Sequence, residues 1–419
     1  MAPGRTGLSL SFLRRFVLGF GDQGLTALLS LIVSLWLIRR GGEGEFATYV
    51  FWASATFLAS TLAASLTSVH LHRLRPGAGA GRQATERSLL SATLFLTLVS
   101  ALATGFALLL LPPSLGLIGA VLLVPGTLLG SYARALAISR GAVGWAALIS
   151  FIVFGIVLAG LAVEVALGLP ATAENVLVLI GAAQGLAGGA VLVRLSAASP
   201  PSLGRGSRKR WLVLLRRSAW PLAGGLAAEI STRLYVFLVA AWAGTAAMAA
   251  LAVVQTLLRP ATLLSSAWAA AARSALAAHR HEGDMVRFRR VLRWGAAVPA
   301  LAVLALGLGL AAFWPLISAW VFLGRYPDNA GTVLISTVHM AIVCLVFSYG
   351  VALQALGQLR AVAQGDLVAA VVTALSMPVL LWLLPPPGAL LAMILGGALQ
   401  LVWQRRVLRP WLAPGHVPR

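Results

Sequence analysis

Apolar runs of about 20 residues recur along the whole chain, and short polar or basic segments separate them. A helical run of this length crosses the hydrocarbon layer of a bilayer, whereas strands of a membrane barrel show alternating segments of about 10 residues. The pattern therefore predicts an all-α polytopic membrane protein. It predicts about twelve membrane-spanning helices, which cover residues 16–38, 47–69, 89–111, 115–137, 144–167, 175–195, 218–242, 246–271, 294–323, 331–355, 366–384 and 388–404.

Composition supports this class of protein. Of the 419 residues, 59% are hydrophobic and only 10% are charged, and the mean hydropathy is +0.91. A soluble globular domain carries about 25% charged residues, so this chain lies far outside that class.

The formal net charge of +21 raises the possibility of nucleic-acid binding, but the placement of the basic residues argues against it. They concentrate in every second connection between predicted spans, as Lys and Arg do on the cytoplasmic side of a membrane. The opposite side receives Arg39, Arg40 and Arg325. We therefore expect a multi-pass protein of the bacterial inner membrane with both termini in the cytoplasm and no nucleic-acid partner.

The longest basic connection divides the chain into two sets of six predicted spans. We predict an N-terminal lobe at 1–195, a cytoplasmic linker at 196–217 and a C-terminal lobe at 218–419. Six spans in each half would relate the lobes by a pseudo-two-fold axis along the membrane normal. In the linker, RKRWLVLLRR fits either a basic amphipathic helix on the membrane surface or an ordinary basic loop.

Four ionisable residues inside the predicted spans stand out: Asp22, Glu229, Arg233 and Arg259. Charge at bilayer depth is costly, so such residues usually face a cavity or a partner. Glu229 and Arg233 have the spacing of an ion pair on one helix face. The sequence leaves open whether Arg233 pairs with Glu229, pairs with Asp22 or binds an anionic ligand.

Arg259 precedes Pro260, which removes a backbone hydrogen bond and frees a carbonyl group. Arg259 therefore either binds freed carbonyl groups or faces a ligand cavity, with Gln255 one turn before it. The glycines of GTLLG (126–130) and GAAQG (181–185) have the spacing of close helix packing.

The run GDQGLTALLSLIVSLWLIRRGGEGEFATYVFWASATF, near the N-terminus, resembles the opening of bacterial polysaccharide flippases. The second half has a similar patch at 244–268, with Pro260, followed by the basic connection HRHEGDMVRFRRVLRW. The family is that of the oligosaccharidyl-lipid flippases of the multidrug/oligosaccharidyl-lipid/polysaccharide (MOP) superfamily. Its fold is that of the multidrug and toxic compound extruders.

The resemblance implies two lobes around a central cavity that opens alternately to each side. It also implies a substrate, a polyprenyl-diphosphate-linked oligosaccharide, which the chain would flip to the outer leaflet for surface polysaccharide or lipopolysaccharide biosynthesis. Arg233 and Arg259 suit the diphosphate because a guanidinium group binds phosphate oxygens bidentately. Membrane lipids, a polysaccharide polymerase and glycosyltransferases are the further expected partners.

Other residues complete the predicted site. Gln255, Ser30 and Ser60 are candidates for contacts with sugar hydroxyls, and Asp22 and Glu229 are candidates for charge pairing or for binding a coupling ion. At the cytoplasmic entrance, His72, Arg73 and Arg273 would attract the diphosphate or serve as ordinary interface anchors.

The sequence lacks the motifs typical of nucleotide-binding and metal-binding sites. The chain has no GxxxxGK[ST] loop, no HExxH motif and no Cys/His cluster, and its predicted external loops are short. We therefore expect no enzymatic activity, no cofactor and no metal. The alternative function is an ion-coupled exporter of drugs or other small molecules on the same fold.

Overall fold

The structure is a computed structural model that describes residues 10–71, 79–112, 115–197, 200–202 and 204–412. The helices are α1 (Leu10–Trp36), α2 (Glu43–Leu66), α3 (Ser68–Leu71), α4 (Gly79–Leu110), α5 (Ala120–Ser139), α6 (Val143–Ala166), α7 (Ala173–Ser196), α8 (Arg205–Arg216), α9 (Ala219–Trp242), α10 (Gly244–His281), α11 (Met285–Ala312), α12 (Trp314–Val321), α13 (Ala330–Ala355), α14 (Leu359–Leu383) and α15 (Pro387–Leu412). A π-helical turn, Leu37–Gly41, continues α1.

The prediction of an all-α polytopic membrane protein is confirmed. The described ranges contain no β-strand, and eleven of their helical segments are long and apolar enough to cross a membrane. The predicted span 246–271 lies inside the 38-residue helix α10.

The predicted span 294–323 is wrong as a single helix. The structure ends α11 at Ala312 and starts a short α12 at Trp314, with Phe313 between them. Pro315 explains the break, because proline disfavours helical geometry at the preceding residue and fits the first turn of a new helix. The indole of Trp314 is fully buried and donates a hydrogen bond of 2.8 Å to the carbonyl oxygen of Tyr326.

The second part of the linker forms a helix, α8. The hydroxyl group of Ser88 on α4 donates a hydrogen bond of 2.7 Å to the Ser207 carbonyl oxygen, and the Trp211 ring lies 6.4 Å from that of Phe95. Leu212 and Val213 remain exposed. The apolar side chains fit the amphipathic interpretation, and contact with the membrane surface stays a prediction.

The chain falls into two compact units. The first contains residues 1–30, 66–169 and 174–215, and the second contains 31–65, 170–173 and 216–419. The predicted lobes at 1–195 and 218–419 and their pseudo-two-fold relation stay predictions.

Glycines allow α5 and α7 to pack closely in the first unit. A Cβ atom on Gly126 would overlap the carbonyl oxygen of Gly181, and one on Gly188 would lie 2.6 Å from the Cα atom of Gly130. The two backbones therefore touch where the GTLLG and GAAQG sequences predict close packing.

A buried carboxylate joins three helices near the ends of α5 and α7. Glu86 on α4 is 4% exposed and accepts a hydrogen bond of 2.9 Å from Arg82. It also pairs with Arg140, which donates to the Leu195 carbonyl oxygen as well. Burial of this charge is compensated because both of its cationic partners hydrogen-bond to it.

The second unit has its own core at one end of its helices. Phe288 and Leu292 of α11 are buried against Leu353 of α13 and Leu408 of α15. These apolar contacts tie the N-terminal part of α11 to the C-terminal part of α15.

The α5–α7 contact gives a test of the fold. We expect Gly126→Ala to lower the stability of the purified protein by about 1–3 kcal/mol, because the new methyl group forces the two backbones apart. Thermal unfolding in detergent measures the change. Gly155→Ala on α6 is the matched control, since a Cβ atom there meets no atom within 4 Å. Equal unfolding temperatures for the two variants would contradict the close packing of α5 against α7.

Candidate functional site

The centre of α9 carries an ion pair. The Nε atom of Arg233 donates a hydrogen bond of 2.7 Å to Oε2 of Glu229. The two side chains are 24% and 17% exposed. Their spacing of four residues places them on one face of the helix, so the pair forms within α9.

Helix α2 packs antiparallel to α9 along this face, inside the second unit. The hydroxyl group of Thr61 donates a hydrogen bond of 2.9 Å to Oε1 of Glu229, and that of Ser65 donates one of 3.3 Å to the Pro221 carbonyl oxygen. Gly225 permits the close approach, because a Cβ atom there would lie 2.9 Å from Thr61 Cγ2. Both carboxylate oxygens of Glu229 thus have a hydrogen-bond donor.

An aromatic ring from α2 covers the guanidinium group of Arg233. The Cζ atom lies 3.8 Å from the centroid of the Phe57 ring, which is a cation–π contact. The Nε atom binds Glu229, and the structure shows no hydrogen bond from the two Nη groups to another described residue. The forked end of Arg233 is therefore still able to bind an anion.

Arg259 on α10 adds a second positive charge to this site. It is half-buried and close enough to interact electrostatically with Arg233 and with the buried Tyr235. The site thus brings guanidinium groups of α9 and α10 together with side chains of α2.

Unsatisfied polar groups accompany the charges. Gln255, four residues before Arg259, is 8% exposed, and its Nε2 atom has no hydrogen-bond partner among the described residues. The buried Oγ atom of Ser60 on α2 likewise has none among them. A ligand with hydroxyl or phosphate oxygens would satisfy such groups.

Asp22 and Ser30 belong to the first unit. The hydroxyl group of Ser150 on α6 donates a hydrogen bond to Asp22, and Arg134 Nε on α5 lies 3.9 Å from its Oδ1 atom. The sequence did not predict Arg134 as a partner, because α1 and α5 are far apart in the chain. Asp22 and Arg233 each have an ion-pair partner within their own unit, and the Asp22–Arg233 pair stays a prediction.

The predicted entrance residues are only partly described. His72 and Arg73 lie outside the described residues, and Arg273 is exposed on α10. Their role stays a prediction.

A half-buried carboxylate on α14 was not selected by the sequence analysis. Asp366 on α14 accepts a hydrogen bond of 2.6 Å from Gln400 on α15, and a Cβ atom on Gly224 of α9 would lie 3.6 Å from it. Asp366 is the first residue of the predicted span 366–384, and the sequence analysis did not name it as a candidate site residue. Within the described ranges no three His, Cys, Asp or Glu side chains are arranged to hold a metal ion.

Solved structures share this fold across almost the whole chain. An inward-facing multidrug resistance MATE family transporter of the MOP superfamily is 13% identical and has a TM-score of 0.69, with 93% of this chain and 96% of that chain covered. Lipid II flippase MurJ, in an inward closed conformation, is 11% identical with a TM-score of 0.71 and coverage of 93% and 86%. A MOP superfamily transporter from Pyrococcus furiosus, described as having a binding pocket of reverse polarity, is 13% identical with a TM-score of 0.60 and coverage of 97% and 99%.

These likenesses establish a fold shared with MATE family transporters and MurJ, as the resemblance of the N-terminal and central patches predicted. No family model and no curated protein sequence matches the chain. At such low identity the likeness defines the fold and leaves the substrate to be argued from the residues.

The ion pair on α9 predicts a coupling free energy between Glu229 and Arg233, which a double-mutant cycle measures. We expect Glu229→Ala to destabilise the protein because it leaves Arg233 without its counter-charge. The double variant Glu229→Ala/Arg233→Ala should lower the free energy of unfolding by less than the sum of the two single changes. The expected coupling is about 1–3 kcal/mol. Unfolding in detergent of the four proteins checks it, with Thr232→Ala on the exposed face as the control. Additive effects would show that the pair carries no interaction energy.

Proposed function

We propose that this protein is a transporter that flips a polyprenyl-diphosphate-linked oligosaccharide across the bacterial inner membrane by alternating access. The substrate would pass from the cytoplasmic to the outer leaflet and supply surface polysaccharide biosynthesis. The observation that carries the proposal is the Glu229–Arg233 pair on α9, a helix long and apolar enough to cross a membrane, with Arg259 of α10 close enough to interact electrostatically with Arg233.

The guanidinium group of Arg233 favours an anionic ligand. The Nη groups of Arg233 form no hydrogen bond with another described residue, and positive charge in a poorly hydrated site is expensive unless a ligand or partner compensates it. A diphosphate supplies this compensation and offers oxygens in the geometry that guanidinium forks bind. We infer that Arg233, positioned by Glu229 and Phe57, presents its Nη groups to the diphosphate.

Neutral polar groups would contact the glycan. Gln255 and Ser60 have buried atoms with no partner among the described residues, and sugar hydroxyls both donate and accept hydrogen bonds. Ser30, and the entrance residues Arg73 and Arg273, belong to the proposal on sequence grounds alone. A polymerase and glycosyltransferases would then consume and supply the substrate.

Ion-coupled export of small molecules is the second candidate function. Asp22 and Glu229 favour it, because carboxylates in membrane spans serve many transporters as proton or sodium sites. In this structure Asp22 interacts with Arg134, and Glu229 with Arg233 and Thr61, so both carboxylates already have compensating partners. The Nη groups of Arg233, which form no hydrogen bond with another described residue, favour an anionic substrate over a cation.

Genetic complementation tests the proposed substrate class. We expect Arg233→Ala and Arg259→Ala to abolish surface polysaccharide in a deletion strain while the protein stays inserted and abundant. Each change removes one phosphate-binding group from the site. Gel analysis of the polysaccharide and immunoblotting of the membrane fraction provide the measurements.

Arg406→Ala serves as the control, because it removes an exposed positive charge on α15. It should leave the polysaccharide at the wild-type level. Normal polysaccharide in both the Arg233 and the Arg259 variants would refute the assignment of these residues.

A further inference from the structure

A basic cleft lies on the exposed side of the N-terminal part of α11, within the second unit. Its volume is about 360 Å³, and it is lined by Val286, Arg289, Arg290, Arg293 and Trp294. We propose that this cleft binds the headgroup of an anionic phospholipid of the cytoplasmic leaflet. The proposal is independent of the transported substrate.

The two faces of this helix segment differ sharply. Phe288 and Leu292 are buried in the core with α13 and α15, whereas Val286 and Trp294 are 61% and 66% exposed. Residues at spacings of four and seven share a helix face, so Arg290 and Arg293 lie on the exposed side with Val286. The segment therefore presents arginines and apolar groups together to its surroundings.

The length of α11 places the arginines at headgroup level. The helix has 28 residues, but the part from Trp294 to Ala312 already rises about 27 Å, close to the hydrocarbon thickness of about 30 Å. Trp294 then lies at the membrane interface, where tryptophan is enriched. The preceding turns, with the three arginines, extend into the headgroup layer on the side predicted to be cytoplasmic.

Protein groups fix one arginine and leave two available. Arg289 donates hydrogen bonds of 3.1 and 3.0 Å to the carbonyl oxygens of Met285 and Leu412. Arg290 and Arg293 are exposed, and no described residue forms an ion pair or hydrogen bond with them. Two guanidinium forks beside a fixed third suit the phosphate of a lipid headgroup.

Nearby acids do not neutralise the cleft. Asp284 pairs with Arg287 at 3.2 Å, and Glu282 contacts His279 at 3.5 Å. The residues that follow Leu412, 413–419, contain no Asp or Glu. The positive charge of the cleft is thus available to a ligand.

The exposed surface continues from the arginines into the hydrocarbon layer. Val298 and Leu301, one and two turns beyond Trp294, are 48% and 62% exposed. An acyl chain attached to a phosphate in the cleft would lie along this apolar strip. This continuity favours a lipid over a soluble phosphate, which would use the arginines alone.

Lipid retention tests the site. The full-length protein is reconstituted with equimolar phosphatidylglycerol and phosphatidylcholine and extracted in mild detergent, and the co-purifying lipid is measured by mass spectrometry. We expect the wild type to retain phosphatidylglycerol selectively. Arg290→Gln/Arg293→Gln should lower this selectivity about tenfold or more. The reason is that the loss of two arginines beside an anionic headgroup weakens the binding of that lipid on this scale.

Arg360→Gln/Arg406→Gln is the matched control, because it removes two exposed positive charges elsewhere in the same unit. It should keep the wild-type selectivity. Equal selectivity in the two double variants, or none in the wild type, would overturn the proposal. Displacement of the lipid by inorganic phosphate would also overturn it, in favour of a soluble anion.

A folding check accompanies these measurements. The arginines point away from the core, so we expect Arg290→Gln/Arg293→Gln to elute as monodisperse protein. If it aggregates, Arg290→Lys/Arg293→Lys decides the question, because it keeps the charge and removes the planar fork. A clear loss of phosphatidylglycerol selectivity in the Lys variant supports the site, and unchanged selectivity refutes it.

Discussion

A charge inside a membrane-spanning helix must be compensated by the protein or its ligand, because hydrocarbon supplies neither water nor counter-ions. The Glu229–Arg233 pair shows how this protein meets the constraint. Thr61 and Arg233 each donate a hydrogen bond to the carboxylate, and the Phe57 ring covers the guanidinium group. Because Thr61 and Phe57 come from α2, compensation of the charges also fixes the packing of α2 on α9. Arg259 of α10 lies close enough to interact electrostatically with Arg233.

The same constraint acts in the first unit. Asp22 lies beside Arg134 and Ser150, and Glu86 pairs with Arg82 and Arg140. Arg134 lies on α5 and Arg140 directly after it, so their contacts with Asp22 on α1 and Glu86 on α4 also fix the relative positions of these helices. Asp22 and Glu86 therefore each have a structural role.

Much of the fold was predictable because a bilayer imposes one simple rule on sequence. Runs of apolar residues marked the spans, and the spacing of Glu229 and Arg233 predicted a pair on one face. The break at Phe313 was missed, since the apolar pattern continues through Pro315 and only the proline marks the end of α11. The partner residues Phe57, Thr61 and Arg134 could not be predicted from the sequence either. Helical periodicity shows which side chains share a face of one helix. It does not show which other helix packs against that face, because the two helices can be far apart in the sequence.

Binding of the purified protein to polyprenyl diphosphate tests the central claim most directly. The comparison is with polyprenol, which has the same lipid chain without the diphosphate, and with a lipophilic cation such as tetraphenylphosphonium. The account predicts that the diphosphate binds far more tightly than polyprenol and that Arg259→Gln removes most of the difference. Equal affinity for diphosphate and polyprenol, or preferential binding of the cation, would contradict it.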